Sequence, residues 1–156
     1  MDHQEAEERA RVVAVARTFL GTPYLDHGRV RGSGIDCAML LAETFHEAVP
    51  VRVPRVDVDY YNTYWYLNGH ERQRLIDVVE RYARRVERSP LDGDIALFMP
   101  QRHNRDHRPQ LVAHAGIIDS WPRVIHAWAP SEKVQYDDGD KGPLGATFVG
   151  LWSVWA

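Results

Sequence analysis

The spacing of apolar residues predicts three helices in the first half of the chain, over residues 4–20, 36–48 and 69–88. Acidic side chains crowd the first turn of the first helix, which the helix dipole favours, and Gly21 is a typical stop. The third helix is predicted from apolar side chains at helical spacing: Leu75, Val79, Tyr82 and Val86. The Gly- and Pro-containing stretches between these helices are predicted to be loops or insertions.

Short β-rich runs separated by turn residues occupy the second half of the chain: IALFM, LVAHAGII, RVIHAWA, KVQY and ATFVGLWSVW. Helices first and strands second favour an α+β fold with an antiparallel sheet. The chain shows no repeat, low-complexity tract or linker, and its 156 residues suit one hydrophobic core. We therefore predict a single domain over residues 1–156.

Composition indicates which partners and which cellular compartment to expect. The formal net charge of −3 comes from 22 acidic and 19 basic residues, so no nucleic-acid partner is implied. A single cysteine allows no internal disulfide, and the chain does not need an oxidising compartment to fold. The charged start MDHQEAEERARVV has no apolar signal core, and no run approaches the roughly 20 apolar residues of a membrane span. We expect a soluble product made in the cytoplasm without a signal peptide, and no membrane partner.

The single cysteine, Cys37, stands in the stretch GSGIDCAMLLAETF at the predicted start of the second helix. Unpaired N–H groups and the positive end of a helix dipole favour a thiolate there, and Gly32 and Gly34 leave room for a substrate beside the sulfur. The negative charge of Asp36 acts in the opposite direction. From these residues alone, Cys37 is either a small buried core residue or a nucleophile.

Two histidines lie inside apolar strand runs, His114 in LVAHAGIID and His126 in RVIHAWA. The turn sequence DSWP between the runs predicts a hairpin, and the even separation of 12 residues places both side chains on one face of it. One imidazole can then hydrogen-bond the other, so that His126 fixes the tautomer of His114. Each histidine alone is also compatible with a satisfied, half-buried side chain of no catalytic role.

The other candidate residues carry weaker signals. His103 and His107 have the i, i+4 spacing of a helical metal site, but prolines bracket them and a solvated loop fits better. A zinc site that combined them with Cys37 has no known ligand spacing, so no metal is predicted. The aromatic stretch over residues 60–66 fits either a surface for stacking sugars or peptides or a packed lid.

Four blocks in order resemble the NlpC family of bacterial cell-wall cysteine peptidases: GTPYLDHGRVRGSGIDCAMLL, LDGDIALF, HAGII and VIHA, within about residues 11–130. The resemblance implies a papain-like fold and hydrolysis of amide bonds in peptidoglycan stem peptides, with no metal or organic cofactor. It implies Cys37 as the nucleophile, His114 as the general base and His126 as the third polar residue. It also implies that Tyr24 lies near the thiol to position it or the oxyanion, and that Asp36 holds the free amine of the stem peptide.

One difference from the family pattern keeps two alternatives open. Family members usually have Asp-Cys-Ser-Gly, where this chain has Asp36-Cys37-Ala38-Met39. The alternatives are a non-catalytic phage tail or cell-wall-binding module of the same fold, and a cysteine deacylase or acyltransferase. The insertion between the second and third helices resembles the phage-encoded branch of the family. That branch implies phage tail proteins as partners and delivery to the cell wall by the virion or by lysis.

Overall fold

A computed structural model describes residues 1–57, 74–99 and 114–156 of the chain. The helices are α1 (His3–Thr18), α2 (Cys37–Ala48), α3 (Arg74–Tyr82) and the short α4 (Gly142–Gly145). The strands are β1 (Arg29–Val30), β2 (Gly34–Ile35), β3 (Arg84–Val86), β4 (Ile95–Phe98), β5 (His114–Ile118), β6 (Arg123–Trp128), β7 (Lys133–Asp138) and β8 (Phe148–Ser153). The aromatic stretch 60–66 and the basic segment 100–110 lie outside the described residues.

The first two predicted helices are confirmed with small shifts of their ends. The Asp2 side chain caps α1 by accepting a hydrogen bond from the N–H of Glu5. The helix ends at Thr18, two residues before the predicted end, and α2 begins at Cys37 with Asp36 as its N-cap. Neither helix, nor any other in the described part of the chain, combines the length and apolarity needed to cross a membrane.

Six strands form one antiparallel sheet in the order β3-β8-β4-β5-β6-β7, which confirms the predicted α+β fold. Alternate strand residues face opposite sides of a sheet. On one side, Leu97, Ile117 and Ile125 join the main core, to which α1 and α2 contribute. On the other side, Phe98 and Ile118 belong to a second, smaller apolar cluster. The central strands β4, β5 and most of β6 are therefore buried on both faces.

The helix predicted over residues 69–88 is wrong at its carboxyl end. Residues 74–82 are helical, whereas Arg84–Val86 form β3 and pair with β8. Val86 continues the helical spacing of the preceding apolar residues, and this local signal led to the longer helix. Pairing with a strand some 65 residues later in the chain supplies the backbone hydrogen bonds instead, as tertiary context overrides local propensity. Residues 69–73 lie outside the described part of the chain.

A two-strand hairpin occupies part of the predicted loop before α2. Its strands β1 and β2 pair antiparallel, with Val30 opposite Gly34 and Arg29 opposite Ile35. At Gly28 the chain passes so close to β2 that a Cβ atom there would lie 2.5 Å from the carbonyl oxygen of Gly34. Only glycine fits this approach. The hairpin leads directly into α2 and so fixes where that helix begins.

A buried ion-pair cluster joins α1 to the start of β4. Asp94, which has no exposed side-chain surface, accepts hydrogen bonds from Arg9 (2.9 Å) and from Arg88 (2.6 Å). The N–H of Leu91 also donates to it, at 2.9 Å. Arg9 further contacts the hydroxyl of Ser153 at the end of β8. The carboxylate thus connects α1 to the turn before β4, and Arg9 extends the cluster to the end of β8.

Candidate active site

Cys37 is the first residue of α2, and its side chain is half-buried. Its sulfur lies where the backbone N–H groups of Ala115, Ala38 and Cys37 itself stabilise the thiolate. Ala115 directly follows His114 in β5. The packing of α2 on β5 therefore brings the only thiol of the chain to the point where the first candidate histidine enters the sheet.

The Cys37 thiol is protonated at neutral pH. Burial raises its pKa to about 12, the charge of Asp36 adds to this effect, and the three N–H groups oppose it. The sequence-based expectation that the helix start favours a thiolate is therefore outweighed by burial and by the neighbouring carboxylate.

Replacing Asp36 by Asn is expected to lower the pKa of Cys37, because it removes the negative charge that disfavours the thiolate. Asparagine caps helices as well as aspartate does, so α2 keeps its N-cap. Below the pKa the thiolate fraction rises tenfold for each unit by which the pKa falls, so we expect alkylation by iodoacetamide at pH 8 to be roughly 3–10 times faster. Asp57→Asn, at a carboxylate that is 83% exposed, is the control, and an unchanged rate in the Asp36 variant would contradict the assignment.

His114 and His126 lie on one face of the β5–β6 hairpin, as the sequence predicts. The register pairs Ile117 with Ile125 and Ile118 with Val124, which makes the two histidines diagonal neighbours. Nε2 of His114 lies 2.7 Å from Nδ1 of His126. Both side chains are buried, with exposed fractions of 5% and 0%.

Both imidazoles are neutral at pH 7. Burial lowers the pKa of His114 well below its usual value, and the neighbouring His126 lowers it further. Burial also lowers the pKa of His126, while its hydrogen bond to Asp137 acts in the opposite direction. The candidate site therefore contains a neutral thiol and two neutral imidazoles.

Asp137 is part of this site and is absent from the sequence-based prediction. Its Oδ2 lies 2.6 Å from Nε2 of His126 and accepts a second hydrogen bond from Nε2 of Gln135. The run KVQY predicts a strand that ends at residue 136, whereas β7 extends to Asp138 and pairs His126 with Gln135. The signal for Asp137 is its position two residues beyond Gln135, on the same face of β7.

Aromatic rings surround the histidine pair. The Trp128 ring centroid lies 5.1 Å from that of His114 and 5.2 Å from that of His126. Phe98 approaches His114 at 5.9 Å. These contacts hold both imidazole planes and keep water from their faces.

Tyr24 lies near Cys37 in the structure, and its predicted role in positioning the thiol or the oxyanion stays a prediction. It bridges to Ile35 just before α2, and its hydroxyl donates to Asp26 at 3.3 Å. Burial raises the pKa of Tyr24, and the nearby Cys37 raises it further. Tyr24 therefore remains a protonated hydroxyl near the sulfur.

Asp36 is buried, with 3% of its surface exposed. Its Oδ1 accepts the N–H of Met39 at 2.8 Å, and its Oδ2 accepts the N–H of His27 at 2.9 Å. This carboxylate therefore fixes the start of α2 and the turn before β1. Its predicted contact with a stem-peptide amine stays a prediction.

His103 and His107, which have the spacing of a helical metal site, lie outside the described residues. Within residues 1–57, 74–99 and 114–156, no three His, Cys, Asp or Glu side chains are grouped as metal ligands.

Comparisons with known proteins identify the fold. No family sequence model matches the chain, and no curated protein matches it in sequence. Among solved structures, it is similar to NlpC2 from Trichomonas vaginalis, with a TM-score of 0.64 and 21% identity over 98% of this chain. The match covers 50% of NlpC2, so the chain spans half of that protein's length.

Two further structures match at nearly their full length. The NlpC/p60 domain of the peptidoglycan hydrolase SagA has a TM-score of 0.56 and 21% identity, over 93% of this chain and 97% of that domain. An N-acetylmuramoyl-L-alanine amidase from Bacteroides uniformis has a TM-score of 0.53 and 16% identity, over 93% and 97% of the two chains. The chain therefore has the fold of the NlpC/P60 proteins.

Proposed function

We propose that the protein is a cysteine hydrolase that cleaves amide bonds in peptidoglycan stem peptides. The observation that carries the proposal is the placement of Cys37 at the start of α2, where its sulfur meets the N–H of Ala115 beside the hydrogen-bonded pair His114 and His126. The names of the structural neighbours, a peptidoglycan hydrolase and an amidase that acts at N-acetylmuramoyl-L-alanine, support the substrate class.

The proposed first step is attack by a thiol that loses its proton during the reaction. Since His114 is neutral and its Nε2 is hydrogen-bonded to His126, its Nδ1 is the nitrogen that accepts the proton of the thiol. The Cys37 S–H bond breaks as the bond from sulfur to the amide carbon forms. The N–H groups at the start of α2 stabilise the tetrahedral oxyanion that results.

The proposed second and third steps return the proton and release the acid. The His114 imidazolium donates its Nδ1 proton to the leaving amine as the C–N bond breaks, which leaves a thioester on Cys37. Water then attacks the thioester carbon while His114 accepts one of its protons. The S–C bond breaks, the thiol recovers the proton, and the free carboxylic acid leaves.

Two further side chains have proposed roles next to the thiol. Tyr24 positions the thiol or the oxyanion through its hydroxyl. Asp36 attracts the free amine of the stem peptide through its negative charge, and an ammonium group there would cancel part of the effect that raises the pKa of Cys37.

The structure weakens one reason for a non-catalytic alternative. Met39, which replaces the small glycine of the family pattern, is 3% exposed and belongs to the main core, so its bulk points away from the surface beside the sulfur. Ala38 lacks the serine hydroxyl of the family pattern. The choice of substrate is therefore the property to test. Phage tail partners, delivery by virion or lysis, and a deacylase or acyltransferase reaction stay predictions.

The test is digestion of purified muropeptides of several stem compositions, with the products identified by mass spectrometry. We expect the wild-type protein to release one new amine and one new carboxylic acid per cleavage. The summed mass of the two products then exceeds the mass of the substrate by one water. Absence of cleavage across pH 5–9 in all substrates would overturn the proposal. Release of fatty acid from acylated substrates under the same conditions would favour the deacylase alternative.

A further inference from the structure

We infer that Asp137 is a positioning residue of this site, which sets the proton positions on both histidines and thereby leaves Nδ1 of His114 unprotonated. The inference rests on the proposed function, and it adds a fourth group behind the thiol and the two imidazoles. Asp137 touches neither the thiol nor a substrate in this arrangement, so it acts through His126.

The proton positions follow from what each group is able to donate. A carboxylate only accepts hydrogen bonds, so the 2.6 Å contact with Asp137 requires a proton on Nε2 of His126. A neutral imidazole has one N–H, so Nδ1 of His126 is an acceptor. The 2.7 Å contact then requires a proton on Nε2 of His114, and the neutral His114 is left with a lone pair on Nδ1.

The surroundings of His126 make Asp137 the group that decides these proton positions. With Asp137 in place His126 has no exposed surface, so its Nε2 donates to the carboxylate and not to water. The side-chain N–H of Gln135, in the same strand, also donates to Oδ2 of Asp137 at 2.6 Å. Asp137 itself is on the side of β7 that faces His126, with 38% of its side chain exposed.

Loss of the Asp137 carboxylate removes the preference of His126 for the tautomer with its proton on Nε2. His126 then gains the alternative tautomer with its proton on Nδ1, directed at His114. In that state His114 must accept through Nε2 and carry its own proton on Nδ1, where a base needs a lone pair. A wrong tautomer of a catalytic imidazole blocks general-base catalysis even when the atoms stay in place.

The first measurement is the nitrogen NMR of the full chain with 15N-labelled histidine. In the wild type we expect His114 to show a protonated Nε2 and an unprotonated Nδ1, and His126 the same pattern. In Asp137→Leu we expect the two tautomers of His114 to be mixed or reversed. In Asp137→Asn we expect the wild-type pattern, because the Gln135 N–H that donates to this position favours the amide oxygen there, and that oxygen accepts from His126.

The second measurement is kcat on the muropeptide that the wild type cleaves. We expect Asp137→Leu to lower kcat on the order of 10–100-fold, a part of the contribution that general acid–base catalysis makes, and Asp137→Asn to stay within about threefold. Asp140→Asn, at an exposed carboxylate beyond the same strand, is the matched control and should leave kcat and tautomers unchanged. Asp137→Ala serves in place of the leucine variant if the latter does not fold.

The outcomes separate this inference from the proposed function. Wild-type tautomers retained in folded Asp137→Leu and Asp137→Ala would overturn the role of Asp137, even if the protein cleaves muropeptides. Conversely, the NMR pattern needs no substrate, so it tests Asp137 even if muropeptide cleavage fails.

Discussion

Replacing Cys37 by alanine is expected to abolish cleavage of muropeptides, with a fall in rate on the order of 10⁴-fold or more, as for the loss of the nucleophile in other covalent hydrolases. No other group in the proposed mechanism forms the bond to the amide carbon. The residual activity would come only from binding and from the oxyanion N–H groups. The rate is measured by mass spectrometry of the products at matched protein concentration.

The fold must survive for this comparison to be informative. Cys37 is half-buried and only one sulfur atom is removed, so the Tm of Cys37→Ala should stay close to that of the wild type. A variant that is folded and still cleaves at more than about a tenth of the wild-type rate would show that a different group attacks the substrate.

Replacing Asp94 by asparagine is expected to destabilise the protein by about 3–5 kcal/mol, the usual cost of breaking a buried ion pair on one side. The change removes one of the two carboxylates that pair with the buried Arg9, which keeps Glu5, and it removes the carboxylate partner of Arg88. Part of the cost is the unpaired N–H of Leu91, since one amide does not replace two carboxylate oxygens. The free energy of unfolding in urea measures the effect.

An exposed ion pair provides the matched control. Asp57 lies 3.7 Å from Arg29 and 3.6 Å from Arg55 with 83% of its side chain exposed, so Asp57→Asn should cost less than about 1 kcal/mol. Equal effects of the two substitutions would contradict the structural role given to Asp94.

The cost of Asp94→Asn should depend on pH. Burial alone would raise the pKa of Asp94, but the hydrogen bonds from Arg88 and Arg9 outweigh it and lower that pKa. The stabilisation is therefore fully present above the ordinary aspartate pKa near 4 and is lost as the pH falls through the lower folded value. The difference in unfolding free energy between wild type and variant should shrink below pH 4.

Local sequence was enough to predict most elements of the fold. Helical spacing of apolar residues predicts α1 and α2 to within two residues, and short β-rich runs separated by turn residues predict β4 to β8. The local sequence was not enough to predict β3, because Val86 fits a helical pattern and a strand equally well. Only the pairing of this segment with β8 decides between them, and that partner is distant in the sequence.

In the candidate site, too, some residues are predictable from local sequence and others are not. The even spacing of His114 and His126 within a hairpin predicts their contact, because a hairpin fixes parity by local rules. Asp137 follows from the register between β6 and β7, which the connection through residues 129–132 sets. That connection is a turn of 3-10 helix over Ala129–Ser131, and neither its length nor its geometry is evident from the residue types.

The position of β8 in the sheet has a consequence for synthesis on the ribosome. This last strand lies between β3 and β4, so β3 has no neighbour in the sheet until residues 148–153 have been made. Pairing that is distant in sequence forms late and leaves strand edges exposed meanwhile. The facing edges of β3 and β4 therefore stay unpaired on the nascent chain until β8 has been made.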